Sequence, residues 1–199
     1  SRPWKELRLL TQAGGAMSRE MKRKLLAWIY DRKQREITTH LAIMYGQTEA
    51  TARMSTFFLD QHPDKMDSVG RAIDGGAFQI KNGNYAGEGD IYYCGENVCL
   101  GYVEEREDLT EDTAAWRQNT DLLDTGDVGK LDEEGYLYIT GRKKRFIKCN
   151  GVRISLDELE RSIENKWETP VVCVQKASDE KILLFIRTGD FRNIDIMEL

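Results

Sequence analysis

The spacing of apolar residues changes period several times along the chain, and each change marks an element. Leu7, Leu9 and Leu10 lie in a run that predicts a short buried strand ending near Thr11. From Ser18 to about Arg35, Met21, Leu25, Trp28 and Ile29 recur at i, i+4, i+7 and i+8. That is the core-facing stripe of a helix capped by Ser18, with its basic residues on a solvated outer face. Ile37 to Met44 reads as a strand, whereas residues 52–67 carry no usable pattern. Ala77 to Lys81 and Ile91 to Cys94 predict an antiparallel pair across the Gly- and Asn-rich turn Asn82 to Gly89. The mostly acidic run Glu104 to Thr113 is expected to be a solvated loop or exposed helix.

A second pattern begins after the strand Tyr136 to Ile139, which ends at Gly141. Phe146 to Cys149 and Val152 to Ile154 flank Asn150 and Gly151, a strong hairpin signal. Ser155 to Glu158 reads as a capping box, and Leu156, Leu159, Ile163 and Trp167 give the following helix an apolar face. Pro170 closes it, and strands are expected at Val171 to Gln175 and Ile182 to Arg187. These elements form a small α+β unit with its own face to bury. A domain boundary is therefore expected near Gly141, dividing residues 1–141 from 142–199.

With 199 residues and 40% hydrophobic content the chain can bury a sizeable core. A net charge of -5 argues against general nucleic-acid binding, which needs an excess of Lys and Arg. No run is apolar enough to span a bilayer, and no signal peptide is visible. Cys94, Cys99, Cys149 and Cys173 form no C-x-x-C pair, so reduced thiols in a cytoplasmic enzyme are expected rather than a zinc site. The start at Ser1 rather than Met leads us to expect a piece of a longer protein.

Candidate chemistry sits where strands end. Gly14 and Gly15 follow the first strand, where backbone can approach a flat ligand or simply turn. Tyr45, Gly46, Gln47, Thr48 and Glu49 follow the second, at the strand end where open α/β sheets place ligands. Tyr45 can stack on a base, Gly46 lets backbone pass close to it, and Thr48 offers a hydroxyl to a phosphate oxygen. Glu49 beside phosphates would need a divalent cation, so Mg2+ coordination is expected. The alternative is that Thr48 caps a helix and Glu49 complements its dipole. Farther on, a Thr-Gly-Asp turn presents Asp127, which can either accept from sugar hydroxyls or bond its own backbone. Six of the twelve residues from Arg142 to Arg153 are Lys or Arg with no acid among them, a segment that wants phosphate or solvent.

Together MYGQTEAT, LLDTGD and GYLYITGRKKRFIKCNGVRI, in that order, are similar to signature motifs of the adenylate-forming superfamily, which includes acyl-CoA synthetases, nonribosomal adenylation domains and luciferases. The resemblance implies an α/β fold joined to an α+β one. The first part would be the end of the large domain, a β-α-β unit with a small antiparallel β subdomain, followed by part of a mobile lid. It implies an acid–thiol ligase that uses ATP and Mg2+ to make an acyl-adenylate, then passes the acyl group to CoA or to the pantetheine of an acyl carrier protein. On that reading Tyr45 holds adenine, Thr48 the phosphate and Glu49 the metal, while Asp127 and Arg142 hold ribose. Gly14, Gly15 and Ala16 line the acid pocket and adenine, Lys144 is the hinge, Lys148 serves thioester formation, and Gly151 lines the pantetheine path. Asp90 stands where the family usually has Glu. Neither the family's Ser/Thr/Gly-rich phosphate loop nor its late lid lysine has a counterpart in this sequence, so the chain by itself is expected to be inactive. A non-catalytic binding module and a degenerate nucleotide-binding homologue are the alternatives.

Overall fold

The computed structural model describes residues 4–103, 105–106, 122–149, 152–167, 169, 171–175 and 182–186, with residues 148, 149, 152, 153 and 175 described by backbone alone. The expectations for 104–113 except 105–106, for Gly151, for Pro170 and for Arg187 fall outside these residues. The chain divides into two compact units, residues 1–139 and 140–199.

In the first unit, β1 (Leu9–Gln12) leads through α1 (Arg19–Gln34) to β2 (His40–Tyr45), and the two strands pair in parallel. β3 (Ser55–Phe58) and β4 (Arg71–Ala72) extend this sheet antiparallel, in the order β1-β2-β3-β4. Helix α1 starts where expected, because the Ser18 hydroxyl accepts from the Met21 amide. Its stripe is shorter than the pattern suggested: Ile29 is buried, Leu25 and Trp28 are half-buried, and Met21 in the first turn is 48% exposed. The solvated basic face also needs correction. Lys22 is buried with its ammonium donating to the Met66 carbonyl, and Arg32 is buried with bonds to Thr39 and the Leu7 carbonyl. Both cations satisfy backbone oxygens that the helix would otherwise cover. Residues 52–67, patternless in sequence, supply β3, whose pairing with β2 rather than any long alternation makes it a strand.

The second sheet has the order β5-β6-β7-β8, from β5 (Gly76–Lys81), β6 (Gly89–Gly95), β7 (Leu123–Leu131) and β8 (Leu137–Arg142). β5 and β6 pair antiparallel as the sequence predicts. Buried Ser68 stitches the two sheets: its hydroxyl donates to the Leu137 carbonyl and accepts from the Gly70 amide. One core gathers Ile29, Leu41, Ile43, Phe57, Leu59 and Tyr136; another gathers Ala50, Met54 and Tyr93.

The second unit contains β9 (Phe146–Cys149) and β10 (Val152–Ser155), paired antiparallel with Cys149 opposite Val152. Helix α2 (Leu156–Trp167) follows, with the Ser155 hydroxyl accepting from the Glu158 amide. Its apolar face packs Leu156 and Ile163, with Leu159 and Trp167, against Val171 and Cys173 of β11 (Val171–Gln175), which pairs with β12 (Ile182–Ile186).

Candidate functional site

Because β1 and β2 are parallel neighbours, the loop after one and the turn after the other lie at the same end of the sheet. Gly14, Gly15 and Ala16 occupy the first, all exposed, with the Gln12 side-chain Nε2 donating to the Gly15 carbonyl. Tyr45, Gly46, Thr48 and Glu49 occupy the second. The turn doubles back tightly: the Met54 amide donates to the Tyr45 carbonyl at 2.9 Å and the Ala52 amide to the Gln47 carbonyl at 3.0 Å. A β-carbon on Gly46 would come within 2.5 Å of the Ala52 oxygen, so the fold itself requires glycine there. Thr48 does not cap a helix. Thr48–Ala50 is a single 3-10 turn preceded by Gln47, which makes no side-chain cap bond. Thr48 is exposed.

Asp127 comes from the other sheet. The pairing of β6 with β7 jumps from Asp90↔Val128 to Tyr92↔Asp124, so Thr125, Gly126 and Asp127 sit in an irregularity inside the strand rather than in a free turn. Such a bulge re-aims a side chain. Thr125 sets it, donating to the Ile91 carbonyl at 2.8 Å and accepting from the Asp127 amide at 3.2 Å. Asp127 is only 7% exposed, and its Oδ2 accepts from the Tyr45 hydroxyl at 2.6 Å. This one bond joins two sequence motifs 82 positions apart.

Glu49 accepts from the Tyr102 hydroxyl, which holds its carboxyl below the usual range. Gln47 Nε2 is buried and finds no acceptor among the described residues. A buried N–H left unmet costs about 1–3 kcal/mol. The first unit thus sets Gly14, Gly15 and Ala16 at the same sheet end as Tyr45, Gly46, Thr48 and Glu49, and bonds Asp127 to Tyr45.

The remaining candidates belong to the second unit. The Arg142 amide donates to Asp157, and Lys144 is exposed in a 3-10 turn. The Lys148 side chain and Gly151 fall outside the described residues. The basic run is not all directed at phosphate or solvent. Arg145 Nε lies 2.6 Å from Asp157 Oδ1, and another of its nitrogens donates to Glu160 at 2.5 Å. Glu160 also accepts from the Cys173 amide at 2.6 Å. Burial, then Glu160, push the Cys173 thiol up to about 11.

Asn97 and Tyr102, which were not among the sequence candidates, touch the Thr48–Glu49 turn directly. Nothing local marks them, since their partners lie 44 to 53 positions earlier. Among the described residues no helix is long and apolar enough to cross a membrane.

No family model matches the chain. It is 30% identical over 129 residues to the 2-succinylbenzoate–CoA ligase of Lactococcus lactis, covering 65% of the chain and 26% of that ligase. It is also 30% identical over 131 residues to a long-chain-fatty-acid–CoA ligase of Rattus norvegicus, covering 64% of the chain and 17% of the relative. The fold resembles o-succinylbenzoate CoA synthetase of Bacillus subtilis, at 23% identity in each case. Its unliganded form matches with a TM-score of 0.68, covering 96% of the chain and 40% of that structure. Its complex with ATP and magnesium ion matches with a TM-score of 0.60, over 85% of the chain and 34% of that structure. The chain spans about a quarter of the length of the lactococcal relative and about a sixth of the rat one.

Proposed function

Given that this chain belongs to the adenylate-forming superfamily, we propose that it supplies the ribose-, phosphate- and metal-handling part of an ATP-dependent acid–thiol ligase. Such an enzyme joins a carboxylic acid to AMP with release of pyrophosphate, then exchanges AMP for a thiol. The acceptor is CoA or the pantetheine of a carrier protein. Its compartment is the cytoplasm, where the thiols of the chain stay reduced.

The observation that carries the reading is the Tyr45–Asp127 bond, which sets the buried carboxylate beside the turn bearing Thr48 and Glu49. In this proposal Asp127 accepts from ribose hydroxyls, each charge-assisted bond contributing about 1.5–3 kcal/mol. The Tyr45 hydroxyl fixes the orientation of that carboxylate while its ring faces the base. Thr48 donates to a phosphate oxygen. Gly14, Gly15 and Ala16 line the acid and adenine side.

Mg2+ takes one or two carboxylates together with substrate phosphates and water rather than a full protein cage. A single carboxylate, Glu49, kept ionised by Tyr102 and following a phosphate-binding hydroxyl, fits that preference. Bound there, the ion would neutralise charge on the phosphate oxygens. Arg142, Lys144, Lys148 and Gly151 keep the ribose, hinge, thioester and pantetheine roles that the family resemblance gives them.

ATP–pyrophosphate exchange, run on the full-length protein encoded by the reading frame with a panel of aliphatic and aromatic acids, tests the proposal. Acid-dependent exchange with at least one acid is the expected result. Absence of exchange with every acid, in protein shown to be folded, would overturn it.

A further inference from the structure

The turn that carries Thr48 and Glu49 holds two consecutive residues with side chains in the left-handed region, Thr51 at φ 49° and Ala52 at φ 61°. That conformation is unfavourable for any residue bearing a β-carbon, and it persists only where neighbours over-determine it. Backbone bonds close the turn, and one side chain holds it from outside. Asn97 Nδ2 donates at 2.8 Å to the Ala50 carbonyl and at 2.8 Å to the Arg53 carbonyl, the two oxygens that bracket the strained pair. Both amide hydrogens are thereby used. Its Oδ1 accepts from the Tyr93 hydroxyl at 2.9 Å, which fixes the way the carboxamide faces.

The same segment grips the turn at further points. The Thr51 hydroxyl reaches the Asn97 carbonyl at 3.4 Å, the Cys99 amide donates to the Glu49 carbonyl at 2.7 Å, and the Tyr102 hydroxyl donates to the Glu49 carboxylate. The seat for Asn97 is built in as well. A β-carbon at Gly95 would lie 2.6 Å from Asn97 Oδ1 and 2.9 Å from the Tyr93 hydroxyl.

We infer that Asn97 is a positioning residue: by clamping the carbonyls on either side of Thr51 and Ala52 it holds Thr48 and Glu49 in the geometry that meets phosphate and metal. The inference rests on the proposed function for what the turn meets, and on the geometry alone for what holds it.

The test uses the full-length protein and Asn97→Asp, which keeps the side chain's size and its acceptor for Tyr93 but sets oxygen where the donating nitrogen was. In pyrophosphate exchange, KM for Mg-ATP rises at least about fivefold and kcat/KM falls about 10- to 100-fold. Amide hydrogen exchange over residues 48–54 accelerates at least about tenfold while α1 and β2 keep their protection. Asn97→Ala, which removes the bonds without adding a charge, moves each readout the same way. Adding Ala52→Gly relieves one left-handed residue and restores at least about threefold of the lost kcat/KM. A change in kcat/KM of less than about twofold, loss of protection spread across the whole unit, or no recovery with Ala52→Gly overturns the inference. If the unaltered protein exchanges no pyrophosphate, the proposed function fails, while hydrogen exchange over 48–54 still decides whether Asn97 holds the turn.

Discussion

The turn from Gly46 to Met54 and the Arg145 cluster of the second unit are both dense in polar contacts, and they use them in opposite ways. In the turn, neutral hydrogen bonds from Asn97 and from backbone amides hold strained residues, and Thr48 is left exposed. Around Arg145 the charged groups are spent on one another and on the backbone of β11, on half-buried side chains. A cation consumed by carboxylates within its own unit is packing. A hydroxyl kept exposed by a rigid, costly turn is a candidate for chemistry. Residue type alone does not separate the two, since the sequence offered Arg145 to phosphate on composition.

If this contrast is sound, the largest effect follows from Asp127→Ala, which removes the proposed ribose acceptor. Two charge-assisted bonds correspond to a loss of about 100-fold or more in exchange activity, read as kcat/KM for ATP. The melting temperature should change little in comparison. Arg145→Met should do the reverse. It leaves the Asp157 and Glu160 carboxylates without their cation and costs the second unit about 1–3 kcal/mol, measured by thermal or denaturant unfolding, with KM for ATP in the exchange reaction unchanged.

The pH dependence of the second unit sharpens the same distinction. The Cys173 thiol, pushed from 9.0 to about 11 in the folded state, keeps its proton where the unfolded thiol has lost it. Its contribution is full below pH 9 and is lost as pH rises through about 11, so unfolding titrations should show stability falling over that window. Iodoacetamide at pH 8 should modify half-buried Cys94 and Cys99 well before buried Cys173. The smallest effect is expected from Ser18→Ala, which removes the cap of α1 and costs about 0.5–1 kcal/mol with exchange kinetics unaltered.

Legibility of the sequence tracked how local each contact is. Helices α1 and α2 and the hairpin of β9 and β10 show in the pattern because periodicity, caps and turn residues lie within a few positions of one another. β3 did not, because four residues paired to β2 carry no alternation of their own. Lys22 and Arg32 were misplaced on the surface because the carbonyls that receive them, Met66 and Leu7, are distant in sequence. Candidate site residues were legible through the order of the motifs, and the partners that hold them were not. Tyr45 meets Asp127 across 82 positions, and Asn97 meets Ala50 across 47, distances over which composition and spacing carry no signal.

The claim that Tyr45 and Asp127 act as one unit on the nucleotide is tested most directly by a double-mutant cycle. Tyr45→Phe, Asp127→Asn and the pair would be compared by kcat/KM for ATP in pyrophosphate exchange on the full-length protein. Coupling of at least about 1 kcal/mol, with the double variant losing less than the two single losses combined, is the predicted result. Additive losses, with coupling below about 0.3 kcal/mol, would contradict it.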